Sequence, residues 1–291
     1  MQPPYNPYHN QAGPGQGGAQ PPPYPGAAAG PPMPPPPMYI PTQQAGYNAP
    51  GGHVPDIESN PTYKGPEFGF SDISIRQGFI RKVYSILSCQ LLFVAGLVAL
   101  FVFEDWGMKQ WVKRNQWAYW ISYAVFLVTY LVLACCPTVR RRTPANFICL
   151  ILLTIAIGYM TAMISSFYDT KIVFIAMGIC AGCCIAISLF AINTKYDFTS
   201  CAGVMFVIFI VLFFIGIFAI IFRSEKIYLL YAGGMALLFM GYLAVDTQML
   251  IGGKRHELDP EEYIFGATQL FLDVIYIFWF ILQILGYANR N

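Results

Sequence analysis

Two aspartates interrupt stretches that are otherwise suited to a lipid interior. Asp246 lies in IYLLYAGGMALLFMGYLAVDTQMLIGG and Asp273 in YIFGATQLFLDVIYIFWFILQILGY, and neither run carries another charge. Each exceeds the about 20 residues of helix that cross a hydrocarbon core. An aspartate at the centre of a membrane helix costs ~2.5–3.5 kcal/mol on insertion scales, so two in neighbouring runs point to a polar interior. If the carboxyl groups meet, two like charges in a low-dielectric place cannot easily ionise together. The pair then titrates as a unit and can sense protons. With both groups ionised, it becomes a transient oxygen site for a hard cation such as Ca²⁺. The alternative is that each aspartate satisfies a neighbouring hydroxyl or backbone group and merely holds helices together.

The surrounding polar residues have helical spacing. Gln269, Asp273, Tyr276 and Gln283 follow one another at offsets 0, 4, 7 and 14, which places them on one helical stripe roughly 20 Å long. Tyr242 and Asp246 share a face of the preceding helix at i, i+4. Together they predict a wet seam, with Tyr242, Gln269, Tyr276 and Gln283 lining an ion pathway. Counting from the helix ends leaves a relative shift of roughly 10 Å between the two aspartates, and this decides whether they touch.

The elements that must position these residues are membrane helices. The chain is 56% hydrophobic and 11% charged, against about 25% charged in a soluble domain. Seven apolar runs fall near 83–103, 117–136, 147–167, 172–192, 200–222, 227–251 and 263–286. The predicted fold is therefore all-α and integral to the membrane, a seven-helix bundle. Its short connections leave no room for a separate soluble catalytic domain, and the net charge of +2 gives no reason to expect nucleic acid. The first apolar run begins near residue 83, so no secretory signal is expected.

Basic residues set the expected orientation. Arg76, Arg81 and Lys82 precede the first run, and Arg140-Arg141-Arg142 follow the second. Alternating seven spans puts both groups on one side, which the positive-inside rule makes cytosolic together with the N-terminus. Trp106, Trp111 and Trp117 suit an interfacial belt on the opposite face. Gly158, Gly178, Gly182 and Gly216 offer close helix approach. The turn NTKYDF places Lys195 and Asp197 as a surface pair, while Gly252-Gly253 should stop the sixth helix. Asp259 can then cap a new helix, with Pro260 at its first position.

The eight cysteines all lie in or beside apolar runs, where thiols act as small hydrophobes rather than disulfide partners. Cys180-x-x-Cys183-Cys184 has metal-like spacing, but it sits mid-span without a histidine or a second pair. Cys135 and Cys136, beside the arginine cluster, are suited to palmitoylation.

Residues 1–70 are a different material. All but Pro137, Pro144 and Pro260 of the 22 prolines fall in the first 66 residues, mixed with Gly, Gln, Ala and Tyr. Such a segment cannot offset its ordering entropy, so a disordered proline-rich cytosolic tail is expected over 1–70 and a membrane domain over 71–288. Pro21-Pro22-Pro23-Tyr24 and Pro36-Pro37-Met38-Tyr39 match the PPxY pattern. In that pattern a preformed polyproline helix docks on an aromatic groove of a WW domain. Two copies would permit bivalent capture by a tandem-WW ubiquitin ligase. Asn60-Pro61-Thr62-Tyr63 matches the NPxY signal read by endocytic adaptors, and also a plain Asn-Pro turn.

Taken in order, the strings DISIRQGFIRKVY, CCPTVRRRTPAN, TKYDFT, AVDTQML and LDPEEYIFGATQLFLDVIYIF resemble the transmembrane BAX-inhibitor-motif family, specifically its lifeguard subgroup. The resemblance covers about 71–288. It implies seven helices, a cytosolic N-terminus, a pH-sensitive Ca²⁺ leak from intracellular stores, and suppression of apoptosis through contact with apoptosis regulators. It also implies residence in endomembranes (Golgi, endoplasmic reticulum, endosome or lysosome) or the plasma membrane. Asp246 and Asp273 match the family's di-aspartyl pH sensor, and Arg140 matches the arginine that can pair with it. Thr129 and Gln283 stand where bacterial relatives carry a charged latch, and Tyr276 where they carry an asparagine.

The leading expectation is thus a multipass membrane protein with a proton-controlled cation leak, needing no cofactor. A second is an anchored adaptor whose tail recruits ligases and sorting proteins without transport. A diaspartyl membrane hydrolase would need activated water and peptide access. No GxGD-type string occurs, so no enzymatic activity is expected.

Overall fold

A computed structural model describes residues 70–103 and 108–289. The PPxY and NPxY strings, with the proposed 1–70 tail, lie outside the described residues. So does Trp106. Helices are the regular elements found, with no strand among the described residues. They are α1 (Phe70–Val102), α2 (Met108–Arg114), α3 (Trp117–Cys135), α4 (Pro137–Arg141), α5 (Ala145–Ser165), α6 (Thr170–Asn193), α7 (Ala202–Phe222), α8 (Glu225–Ile251) and α9 (Tyr263–Ala288). Short 3-10 turns at Phe198–Cys201 and Pro260–Glu262 lead into α7 and α9.

Among the described residues, seven helical segments are long and apolar enough to cross a membrane: Ile73–Val102, Trp117–Cys135, Ala145–Ser165, Thr170–Asn193, Phe198–Phe222, Glu225–Ile251 and Pro260–Ala288. The chain is a multipass membrane protein. One element differs from expectation: α1 already runs at Phe70, well before the first apolar run near residue 83. The segment after the first span forms the short helix α2, because Val112 is fully buried against the main core.

α9 is the central post. It packs against α1, α5, α6 and α8, whereas α3 leans on α5 and α7 on α8 at the rim. The burial of each span follows its place, 61% for the last against 11% for the Phe198–Phe222 segment. Lipid supplies no hydrophobic drive between helices, so close approach depends on small residues. Gly158 lies against Leu97 and Val94 of α1, and Gly216 against Tyr231 of α8. Gly178 and Gly182 have nothing beside them, so they do not serve the close approach their type suggested.

Several hydroxyls inside the spans bond to their own helix, as water is not at hand. Thr129, Thr154, Thr161 and Thr268 each donate to the carbonyl four residues earlier. Between helices, Gln90 Nε2 donates to Thr154 Oγ1 at 2.8 Å and Trp279 Nε1 to Thr161 Oγ1 at 3.0 Å.

The α8–α9 link sets the register of the two acidic helices. α8 stops at Gly252, whose φ of 79° suits glycine alone. The Leu258 amide then returns to the Met249 carbonyl at 3.0 Å. Asp259 accepts from the Glu261 amide at 3.0 Å and caps the turn that Pro260 opens.

Candidate functional site

Register brings the two aspartates together. Asp246 sits five residues before the end of α8 and Asp273 ten residues after the start of α9, yet both carboxyl groups line one cavity, close enough to act on each other. Ionised carboxylates only accept, so a hydrogen bond between the two forms when one of them carries a proton. Each residue is 6% exposed. Oδ2 of Asp273 is buried with no hydrogen-bond partner.

The pair lines a cavity of about 500 Å³ between α3, α8, α9 and the start of α7. Tyr242, Gln269 and Tyr276 join it there, as their spacing suggested, along with residues whose part was not legible: Phe126 and Tyr130 from α3, Phe239 from α8, and Thr199 and His256 from the two loops. Tyr130 and Tyr242 lie within electrostatic reach of both carboxyl groups.

Gln283 stands apart. It accepts from the Tyr228 hydroxyl at 2.8 Å, in a separate cleft of about 300 Å³ that also holds Tyr168, Arg223 and Glu225. Between the two spaces Phe239 stacks on Tyr276 at 4.6 Å and on Phe280 at 6.0 Å, and Tyr231 meets Phe280 edge-on. The continuous wet seam read from the stripe is therefore broken by an aromatic plug. Periodicity along α9 could not reveal it, because half of the plug comes from α8.

Arg140 is not beside the aspartates. Its Nη2 lies 2.8 Å from Glu262 Oε1, and its guanidinium covers the Phe265 ring at 4.6 Å. Phe265 is eight residues before Asp273, about 12 Å along the helix. Arg141 also reaches Glu262 at 2.8 Å and Asp259 at 3.2 Å, while Arg76 pairs with Glu257 at 2.8 Å. By its place at the start of α9, Glu262 suits a complement to the helix dipole. Its partner was invisible because α4 approaches it across the fold.

Gln248 is a second residue whose role sequence reasoning missed. Fully buried, it accepts from the Phe198 amide at 2.8 Å and donates to the Ala191 and Tyr196 carbonyls at 3.2 and 2.8 Å. It thus braces the α6–α7 turn. Its only signal was a polar type two residues beyond Asp246. Asp197, read as a partner of Lys195, instead accepts from the Thr199 amide and hydroxyl, from Ser200 and from the Arg255 amide.

No group of three or more metal-ligating side chains occurs among the described residues. Cys180 and Cys184 are 3.9 Å apart, and Cys180 faces the Val274 carbonyl. Two carboxyl groups offer at most four oxygens, short of the six to eight ligands Ca²⁺ takes. Any Ca²⁺ held there would keep much of its water and leave readily.

The profile of a family described as inhibitor of apoptosis-promoting Bax1 matches residues 76–291. This chain belongs to that family. The Bax1-inhibitor relatives include Protein lifeguard 3 of Homo sapiens, 43% identical over 276 residues, which cover 87% of this chain and 88% of the relative. Protein lifeguard 3 of Mus musculus is 39% identical over 305 residues, covering 98% and 97%. A vaccinia virus (strain Lister) protein named Golgi anti-apoptotic protein is 28% identical over 237 residues, covering 81% of this chain and 95% of its own. The family match covers the membrane spans from Arg76 onward and both aspartates, and together with the two lifeguard relatives it bears out the lifeguard resemblance.

Proposed function

We propose that this chain is an anti-apoptotic protein of endomembranes that mediates a pH-sensitive leak of Ca²⁺ from intracellular stores, controlled by the Asp246–Asp273 pair. Family membership and the names of the lifeguard and viral relatives support the anti-apoptotic part. The viral relative's Golgi name supports endomembranes, and clustered basic residues at the α1 entry and in α4 favour a cytosolic N-terminus.

One observation carries the leak: two buried carboxyl groups, a pair that can hold one proton between them, line a cavity too poor in ligands to store a metal. Losing that proton adds a charge to the cavity and draws cations in. The aromatic stack of Phe239, Tyr276 and Phe280 is then the barrier an ion must pass. Arg140, held by Glu262, is the nearby cation that would compete for the pair's charge when released. The role needs neither enzymatic activity nor a cofactor.

The test is Ca²⁺ flux from vesicles carrying the purified chain, across pH 5–8. Asp246→Asn with Asp273→Asn should abolish the pH response. A flux and pH profile unchanged by that double substitution would remove the mechanism. A second reading rests on the two PPxY strings in one tail: recruitment of WW-domain ligases, with sorting adaptors drawn by Asn60-Pro61-Thr62-Tyr63. Deleting residues 1–70 should then abolish the cellular phenotype and leave flux intact.

A further inference from the structure

The cavity around the aspartates is far larger than a proton relay needs. At about 500 Å³ it falls within the ~300–1,000 Å³ of small-molecule sites. Aromatic side chains enter it from three helices. Tyr130 enters from α3, Phe239 and Tyr242 from α8, and Tyr276 from α9. Phe239 and Tyr276 are stacked at 4.6 Å, and Tyr130 is stacked on Phe126 at 5.9 Å. Aromatic faces carry partial negative charge and attract cations within ≈ 6 Å. Among the described residues, Asp246 and Asp273 are the carboxyl groups that line it.

Three features narrow the occupant. The cavity carries acidic groups and aromatic faces, which favour a positive ligand over a neutral or anionic one. Asp273 Oδ2 is buried and lacks a hydrogen bond, which calls for an N–H or O–H donor rather than a methylated surface. Volume and aromatic lining exceed what a bare or partly hydrated metal ion can fill, since one water takes ≈ 30 Å³. His256, the titratable group that faces the cavity from the loop side, is exposed and marks its mouth.

From this we infer that the cavity is a binding site for a small organic amine in its ammonium form, with N–H groups on the Asp246–Asp273 pair and a carbon body among Tyr130, Phe239, Tyr242 and Tyr276. The ammonium supplies the donor that Asp273 Oδ2 lacks. Its body packs against the aromatic faces. A bound amine occupies the same space an ion would cross, so the ligand is also a blocker. The inference rests on the proposed reading that the carboxyl pair faces a cation, but it does not require that the cation be transported.

The experiment uses the full chain in phosphatidylcholine nanodiscs, with empty nanodiscs as the partition control. Calorimetric titration compares phenethylammonium, its trimethylated analogue and 2-phenylethanol. The primary ammonium should bind at least about tenfold more tightly than either, a ratio equal to about 1.4 kcal/mol. Asp273→Asn should weaken it by tenfold or more. Phe239→Leu, which leaves both carboxyl groups in place and keeps the test open if the Asn variant does not fold, should weaken it about threefold to tenfold.

Equal affinity for the alcohol, or affinity untouched by Phe239→Leu, would overturn the site. Ca²⁺ flux measured on the same preparations separates the two claims. An intact pH-dependent leak without amine binding removes only the amine site. Amine binding with a leak indifferent to both Asn substitutions upholds the amine site and removes only the leak mechanism.

Discussion

Arg140 and Glu262 are joined at 2.8 Å where α4 meets the start of α9, with their side chains 17% and 8% exposed. The pair lies at the foot of the same α9 stripe that carries Gln269, Asp273 and Tyr276, seven residues before Gln269. Glu262 therefore holds the arginine about two helical turns from the aspartates. It also collects Arg141, which ties α4 to the α8–α9 link.

Replacing Glu262 with Gln should leave Arg140 without its carboxylate and Arg141 with Asp259 and Glu261 alone. Breaking a fully buried ion pair costs ~3–5 kcal/mol, and the half-exposed Arg141 brings the expectation down to roughly 2 kcal/mol. Thermal unfolding in detergent checks the loss. A double-substitution cycle with Arg140→Met should show coupling, and additive effects would mean that the pair contributes nothing specific.

Gln248→Leu should be at least as costly. It leaves the Phe198 amide and the Ala191 and Tyr196 carbonyls without their buried partner, at ~1–3 kcal/mol for each group that water cannot reach. The expected total is about 3 kcal/mol, concentrated at one turn. Trypsin cleavage after Lys195 should accelerate well before global unfolding. Cleavage no faster than in the unsubstituted chain would show that the turn does not depend on this side chain.

Gly252→Ala tests the register of α8 and α9. At φ 79° and ψ −173° the backbone occupies a region that only glycine enters freely, at ~1–3 kcal/mol for another residue. An added Cβ would also meet the Arg76 guanidinium at 2.5 Å. Arg76 bonds the Leu258 carbonyl at 2.7 Å and pairs with Glu257. A stability loss of about 2 kcal/mol is expected, with a shift in the distance between spin labels on the two helices. An unchanged distance would place the control of register elsewhere.

Acid should loosen the α6–α7 turn through Asp197. The Thr199 hydroxyl, donating at 2.6 Å, holds the Asp197 carboxyl below the usual aspartate range, helped by the Arg255 amide and Ser200. A group with a lowered folded value contributes stability that is fully present above about pH 3.9 and is lost as pH falls through the folded value. Between pH 5 and pH 3 the melting temperature of the native chain should therefore fall more than that of Asp197→Asn. Parallel falls would show that the carboxylate carries no such linkage.

The amino-acid sequence by itself determined the seven membrane helices and the presence of two aspartates in adjacent spans. A lipid interior lets no backbone group go unpaired, so the length of an apolar run fixes a helix almost without reference to its neighbours. The runs read from sequence end within a few residues of the observed spans, except that α1 starts well before residue 83. Spacing likewise placed Tyr242 with Asp246, and Gln269 and Tyr276 with Asp273, because positions on one helix need only its pitch. Only the tertiary structure decided which faces meet. The glycine stop and the Leu258–Met249 bond set the shift that joins the carboxyl groups. Phe239, entering from α8, divides Gln283 from the rest of its stripe. Arg140 finds Glu262 rather than the aspartates because approach through space, and not the sign of a charge, chooses among acidic partners.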